Sequence, residues 1–393
     1  MNKKVALIGS AAFVLVVLAA IAVFLRLTQK PDEFIKDGDA ALLVKDYNEA
    51  VRSYNKAIGL AKTDSLRKVL HFKLADVYIE TDEWPKVLGH WSAIVQIDPK
   101  NTKARFGRLK YYYIIADSAG TVPIWQETLT QASEFIDVVE DTELFREDTT
   151  EWDPYKKQNE VGEGQLGPFL YLVRGRAFFE IAKMQAVADP NQYLTQAIED
   201  LKKVLKLQPE HIDAYWYLAQ ATITKGDILA AQSDPEEKDK AAKEAQVYLK
   251  QAIEVADDNV KAHINLLTTR LMLSSIEQRQ SLEPEYLSLV DKFPSEPQAH
   301  WALANFYLSL GHKNLDDAEQ ALANAIELDR ENVIYARAAA NLHYHKFSIY
   351  NQKPQLIKAI EVAGNALTLP GAQQSKGPQR LVNRNNRLSL YTF

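Results

Sequence analysis

Few residues in this chain are spaced for chemistry. The nearest thing to a nucleotide site is Gly162-Glu163-Gly164-Gln165-Leu166-Gly167, a literal G-x-G-x-x-G. In a dinucleotide site such glycines follow a strand and bring a helix N-terminus to the pyrophosphate. Here the preceding residues, Tyr155 to Glu160, are polar and no alternating strand pattern surrounds them. The glycines therefore read as a flexible entry into a helix that starts at Pro168. His343 and His345 form a His-x-His pair, but residues two apart on a helix point to different sides and cannot readily ligate one metal. The eight histidines show no H-E-x-x-H spacing, and no G-x-S-x-G, G-K-[ST] loop or nucleophile–base set occurs. The chain has no cysteine, which removes disulfides, thiolate metal sites and a cysteine nucleophile. Carboxylate pairs are plentiful, but they fall on the solvated faces of helical stretches. The expectation is a protein without catalytic residues, metal or cofactor.

The elements that would carry any other function are helices. Of 393 residues, 47% are hydrophobic and 25% charged, as in folded protein, and glycine and proline number only 15 each among long stretches of helix formers. The net charge of −6 gives no electrostatic footprint for nucleic acid. At the N-terminus Lys3 and Lys4 precede an uncharged run from Val5 to Leu25, closed by Arg26. Roughly 20 apolar residues cross a bilayer, so the run reads as a single transmembrane helix within an anchor spanning 1–30. The small-x-small triplet Ala20-Ile21-Ala22 also permits a cleaved signal peptide, although Val23, Phe24 and Leu25 carry the apolar run past it. The flanking charges lean toward an N-terminus in the cytoplasm and a body outside the inner membrane.

From Pro31 the pattern becomes paired amphipathic helices. Ala50, Tyr54 and Ala57 set a spacing that recurs at Ala197, Leu201 and Val204, at Ala245, Leu249 and Ala252, and at Ala318, Leu322 and Ala325. His71, Leu74, Ala75 and Tyr78 precede Trp84; Tyr215, Leu218 and Ala219 repeat the opening of that set, and His300, Leu303, Ala304 and Tyr307 repeat it with Gly311 at the turn. Units end at Ile97-Asp98-Pro99 and Leu207-Gln208-Pro209, with Leu328-Asp329-Arg330 as a departure. These residues resemble the tetratricopeptide-repeat (TPR) family, whose unit is two helices joined by a turn. The resemblance covers most of the chain. It implies an all-α fold, a right-handed α-solenoid of TPR helix pairs behind the transmembrane helix. Repeats 1–3 then occupy 31–139, an acidic insertion loop 140–167, repeats 4–8 168–369 and a basic tail 370–393. The sequence Ser233-Asp234-Pro235-Glu236-Glu237 is expected to lengthen a turn inside the fifth repeat, and Asn383, Asn385 and Asn386 to break up any helix in the tail.

The resemblance also implies where binding happens. In such solenoids the first helix of each repeat lines a concave surface. Projected onto this chain, the pattern puts Phe72, Phe106, Leu172, Trp216, Ile264 and Trp301 at one groove-facing position. Asp76, Lys110, Arg176, Gln220, Thr268 and Asn305 follow one turn on. An apolar stripe flanked by polar groups suits an extended peptide or an amphipathic helix. The alternative is that these aromatics only fill space between helices. The Lys-Asn-Asn-Lys-Arg set with which some TPR proteins hold a terminal carboxylate is not matched, because its first slot is apolar here. The expected function is a non-catalytic, membrane-tethered scaffold at the bacterial cell envelope, with proteins or peptides as partners and self-association as a further option. The alternative is the docking or regulatory part of an enzyme system, such as a glycosyltransferase or cytochrome-maturation complex, whose catalytic unit lies elsewhere.

Overall fold

The computed structural model describes residues 30–149, 152, 164–232, 234–373 and 379–390. The expected N-terminal anchor over residues 1–30, all but its last residue and including the whole crossing from Val5 to Leu25, lies outside them. Among the described residues, regular structure is helical apart from one isolated bridge, and two compact units divide at Arg108/Leu109.

The first unit contains α1 (Pro31–Leu43), α2 (Tyr47–Leu60), α3 (Asp64–Glu80) and α4 (Trp84–Ile97), and it ends within α5 (Thr102–Ala119). Its helices start where side chains satisfy the free N–H groups of a first turn: Asp46 accepts from Glu49 N at 3.0 Å and Thr63 from Leu66 N at 3.3 Å. Ala50, Tyr54 and Ala57, the spacing that defined the repeat, are completely buried. α1 approaches so closely that a Cβ on Gly38 would meet the Tyr54 ring at 2.5 Å. The Tyr54 hydroxyl donates to Asp39 at 2.6 Å, and Lys73 Nζ donates to the same carboxylate at 2.7 Å, which ties α1 to α3.

Between α3 and α4, His71 Nδ1 and His90 Nδ1 face each other at 2.9 Å, with the Tyr78 ring stacked on His90. Such a contact needs at least one neutral imidazole. Burial lowers both histidines, and with His71 beside it His90 falls to about 4. The unfolded chain therefore protonates His90 near pH 6.5 while the folded chain resists to about pH 4, and His71 is shifted in the same direction. This stabilisation is complete above pH 6.5 and drains away as pH falls toward 4. Half-exposure keeps it to about 1–2 kcal/mol. Melting temperatures of the natural chain and of a His71→Gln/His90→Gln variant should therefore diverge at neutral pH and converge by about pH 4. Parallel curves would show that the pair does not titrate this way.

The second unit takes over within α5 and continues with α6 (Val122–Val139), α7 (Leu166–Lys183), α8 (Pro190–Leu207), α9 (Ile212–Gln232), α10 (Glu236–Val255), α11 (Val260–Leu273), the short α12 (Ile276–Arg279), α13 (Glu283–Lys292), α14 (Pro297–Ser309), α15 (Leu315–Leu328), α16 (Val333–Tyr350), α17 (Lys353–Ala366) and α18 (Gln379–Leu390). Consecutive helices pair as hairpins, α7 with α8, α9 with α10, α14 with α15 and α16 with α17. The recurring small–large–small sets are buried in each second helix they mark, and Gly311 turns the α14–α15 corner at φ +93°. Arg174 on α7 grips Asp200 on α8 through two bonds of 2.7 and 2.8 Å, a planar fork suited to a carboxylate.

Three expectations change in this unit. The acidic segment lies inside it rather than between compact units. At its base Thr149 N donates to Gly164 O at 2.9 Å and Leu166 N to Glu147 O at 2.8 Å, while Phe145 packs on Gly167. The sequence around Ser233 does not make a long turn. α9 and α10 run to 21 and 20 residues, because the Ala-, Gln- and Lys-rich flanks prolong both helices. The added turns pack at Gly226, where a Cβ would sit 2.3 Å from Ala241 Cβ and 2.9 Å from the Glu237 carbonyl oxygen. Gly226→Ala is expected to cost about 1–3 kcal/mol in urea unfolding, overpacking outweighing the better helix propensity of alanine. An unchanged midpoint would mean that the hairpin opens there at no cost. Third, the asparagine-rich tail contains α18, a helix whose asparagines bond to neighbouring backbone instead of to their own.

Candidate interaction surface

In the second unit the first helices of successive hairpins touch side by side, α7 with α9, α9 with α11 and α11 with α14. Of the projected binding residues, those on α7, α9, α11 and α14 fall on this layer, while Phe72 and Asp76 lie on α3 and Phe106 and Lys110 on α5, and they do not share one environment.

Arg176 on α7 is enclosed, its side chain 13% exposed. Its Nη1 donates to the Tyr113 hydroxyl at 2.9 Å and its Nη2 to Asp117, both on α5. The guanidinium carbon lies 5.2 Å from the ring centres of Tyr113 and Trp125 and 4.8 Å from that of Tyr217. Burial opposes the charge, but Tyr113, Tyr217 and Asp117 outweigh it and hold the guanidinium above its ordinary range. Burial likewise pushes the Tyr113 and Tyr217 hydroxyls up. Arg176 is thus committed to holding α5, α6 and α9 around α7. Three partners in this cage, Asp117, Trp125 and Tyr217, were missed in the sequence. The available signal was an arginine set between two small buried residues, Gly175 and Ala177.

Three more projected residues are not available for binding. Phe106 and Lys110 on α5 are fully buried, and Leu172 on α7 is 6% exposed. The physical reason is clearest at α7: all eight residues from Leu166 to Val173 are buried, so that stretch has no open side.

The others remain accessible. In the first unit Phe72 is half-buried with the Lys103 ammonium 5.4 Å from its ring centre, and Asp76 is exposed. Crowding by protein still raises the Asp76 carboxyl, opposed by Lys103 and Lys73. In the second unit Trp216 is half-buried against Ala219, Ala245 and Leu249, and Ile264 is similarly half-buried against the core around α14. Gln220 Nε2 lies 3.5 Å from Thr269 Oγ1, and Thr268 is partly exposed beside it. Trp301 leans on Tyr335 at 5.5 Å between ring centres, and Asn305 is exposed. Both tryptophans pack against the core and are partly exposed. His343 and His345 point apart: His343 Nδ1 meets Gln355 Oε1 at 3.0 Å, and His345 lies against His312.

Fold and surface together define an all-helical protein built from repeated helix hairpins. The family model for the plant-specific mitochondrial import receptor subunit TOM20 matches residues 171–272, from α7 through α11. No curated protein is matched. Among solved structures the chain is similar to a thermophilic TPR protein of Thermus thermophilus, at 18% identity and TM-score 0.36, over 56% of this chain and 91% of that one. It is also similar to yeast Tom70, at 14% identity and TM-score 0.31, over 92% and 88%. PilW, a widely conserved type IV pilus biogenesis factor, is similar at 15% identity and TM-score 0.35, over 67% and 94%.

The expected setting at a bacterial inner membrane is overturned. No helix among the described residues is long and apolar enough to cross a membrane, and the family model that matches describes a mitochondrial import receptor subunit.

Proposed function

We propose that the chain is a non-catalytic scaffold that binds a polypeptide segment along the first-helix layer of its second unit. The observation carrying this reading is the accessible series Trp216, Gln220, Trp301 and Asn305, an aromatic followed one turn later by a carboxamide, on α9 and again on α14. An aromatic edge supplies apolar contact area, and a carboxamide both donates to and accepts from a peptide backbone. The import-receptor family model supports the reading, because its match spans α9 and the flanking helices.

The test is selection of peptides from a displayed random library on the intact chain, followed by affinity measurement on variants. Trp216→Ala and Trp301→Ala should each weaken a selected peptide about 10- to 30-fold, the range of an interface hot spot. Ile357→Ser, on the exposed side of α17, should leave it unchanged. Peptides that bind the two tryptophan variants as well as the natural chain would sink the proposal.

A further inference from the structure

The C-terminal helix α18 is attached in an unusual way. Asn383, Asn386 and Leu390, at i, i+3 and i+7, share one helix face. Asn383 Nδ2 donates to the carbonyl oxygens of Pro370 at 3.2 Å and Gln373 at 3.1 Å, and Asn386 Nδ2 to that of Gly371 at 3.2 Å. Arg337 on α16 donates to Ser389 Oγ at 3.2 Å and reaches Asn386 Oδ1 at 3.5 Å. Leu390 is 3% exposed in a cluster with Val333, Ala340, Ala363, Ala366 and Ala372. From the side of the helix, Asn385 Nδ2 donates to the Ser118 carbonyl at the end of α5, 3.2 Å away.

The surface that receives α18 is therefore specific and shallow. The rim formed by residues 370–373 offers backbone carbonyls, Arg337 offers a donor, and a pocket of small side chains takes one leucine. A helix of 12 residues is marginal alone in water, and hydrogen bonds of this kind contribute about 1 kcal/mol each. Segments whose helix is marginal by itself open ahead of the global structure.

We propose that the face formed by α16, α17 and residues 370–373 is a docking site for an amphipathic helix bearing Asn-x-x-Asn-x-x-x-Leu, that α18 occupies it in cis, and that a partner helix with the same face displaces α18. The partner is defined by that chemistry: two carboxamides one turn apart, and a leucine on the next turn. This site is separate from Trp216 and Trp301, so either can fail without the other.

The test uses the full chain. A fluorescein-labelled peptide of residues 379–390 is titrated by anisotropy into the natural chain and into an Asn383→Ala/Asn386→Ala/Leu390→Ala variant, in which α18 is released. An occupant tethered in cis acts at an effective concentration on the order of millimolar, so the released variant should bind the peptide at least ~10-fold more tightly. Adding Arg337→Ala to that variant should weaken the complex, and a peptide carrying the three alanines should bind neither chain. Equal binding to both chains, or to neither, overturns the proposal. Hydrogen exchange on the natural chain gives a second reading: α18 amides should exchange before those of α16 and α17, and exchange in step with them overturns it too.

Discussion

Replacing Arg176 by alanine should lower the stability of the chain by about 3–5 kcal/mol, the loss typical of truncating a large enclosed side chain, although its partner Asp117 is half-exposed. The side chain fills the space between the rings of Tyr113, Trp125 and Tyr217, and its loss leaves a cavity that those rings can close only in part. It also removes the donor to the enclosed Tyr113 hydroxyl and leaves Asp117 without its partner. For a unit of this size each kcal/mol moves the melting temperature by about 2–4 °C, so calorimetry should show a fall of roughly 6–20 °C. Arg176→Lys should not rescue it, because an ammonium cannot lie flat against three rings while donating in two directions. A melting curve like that of the natural chain would mean that Arg176 is a free surface residue. A folded Arg176→Ala chain that loses a selected peptide would restore it to the binding surface.

The second large effect is expected at Lys346. This ammonium is almost wholly enclosed, its side chain 4% exposed, and it bridges Asp316 at 2.6 Å and Glu319 at 2.5 Å from α16 to α15. Glu319 also accepts from Lys358 on α17 at 2.8 Å, so one carboxylate joins three helices. Burial raises the Glu319 carboxyl, but the two lysines outweigh it and hold it at about 2. A carboxyl depressed on folding stabilises the chain above its unfolded value, and that contribution fades as pH drops from about 4.5 toward 2. Lys346→Met keeps the aliphatic stem and removes the charge. It should cost about 2–3 kcal/mol at pH 7, below the full value for a buried pair because Lys358 remains. The penalty should shrink as pH approaches 3, measured by urea unfolding of both chains. A penalty independent of pH would assign the effect to packing alone.

The sequence showed the hairpin register because close helix approach leaves little choice of residue. Ala50 against α1, and Ala245 and Ala318 within their hairpins, are fully buried. Their spacing survives wherever two helices must meet. The binding surface was less legible because a projected register assumes that each first helix has the same neighbours. Trp216 and Trp301 remain partly open. The assumption failed at Leu172, where α7 is apolar on every side, and at Arg176, where Asp117 sits 59 positions upstream and no local pattern announces the pair. The tail misled for a related reason. Asparagine lowers helix propensity by competing for local backbone, but here tertiary carbonyls at 370–373 engage the carboxamides instead.

The attachment of α18 also makes this end of the molecule sensitive to age. Its anchors are carboxamide N–H donors aimed at carbonyl oxygens. Hydrolysis of the Asn383 side-chain amide exchanges NH2 for O−, so an acceptor then faces the carbonyl oxygens of Pro370 and Gln373. A slow, enzyme-independent deamidation at Asn383 would therefore loosen the helix irreversibly, leaving older molecules in a preparation more open at this site than newly made ones.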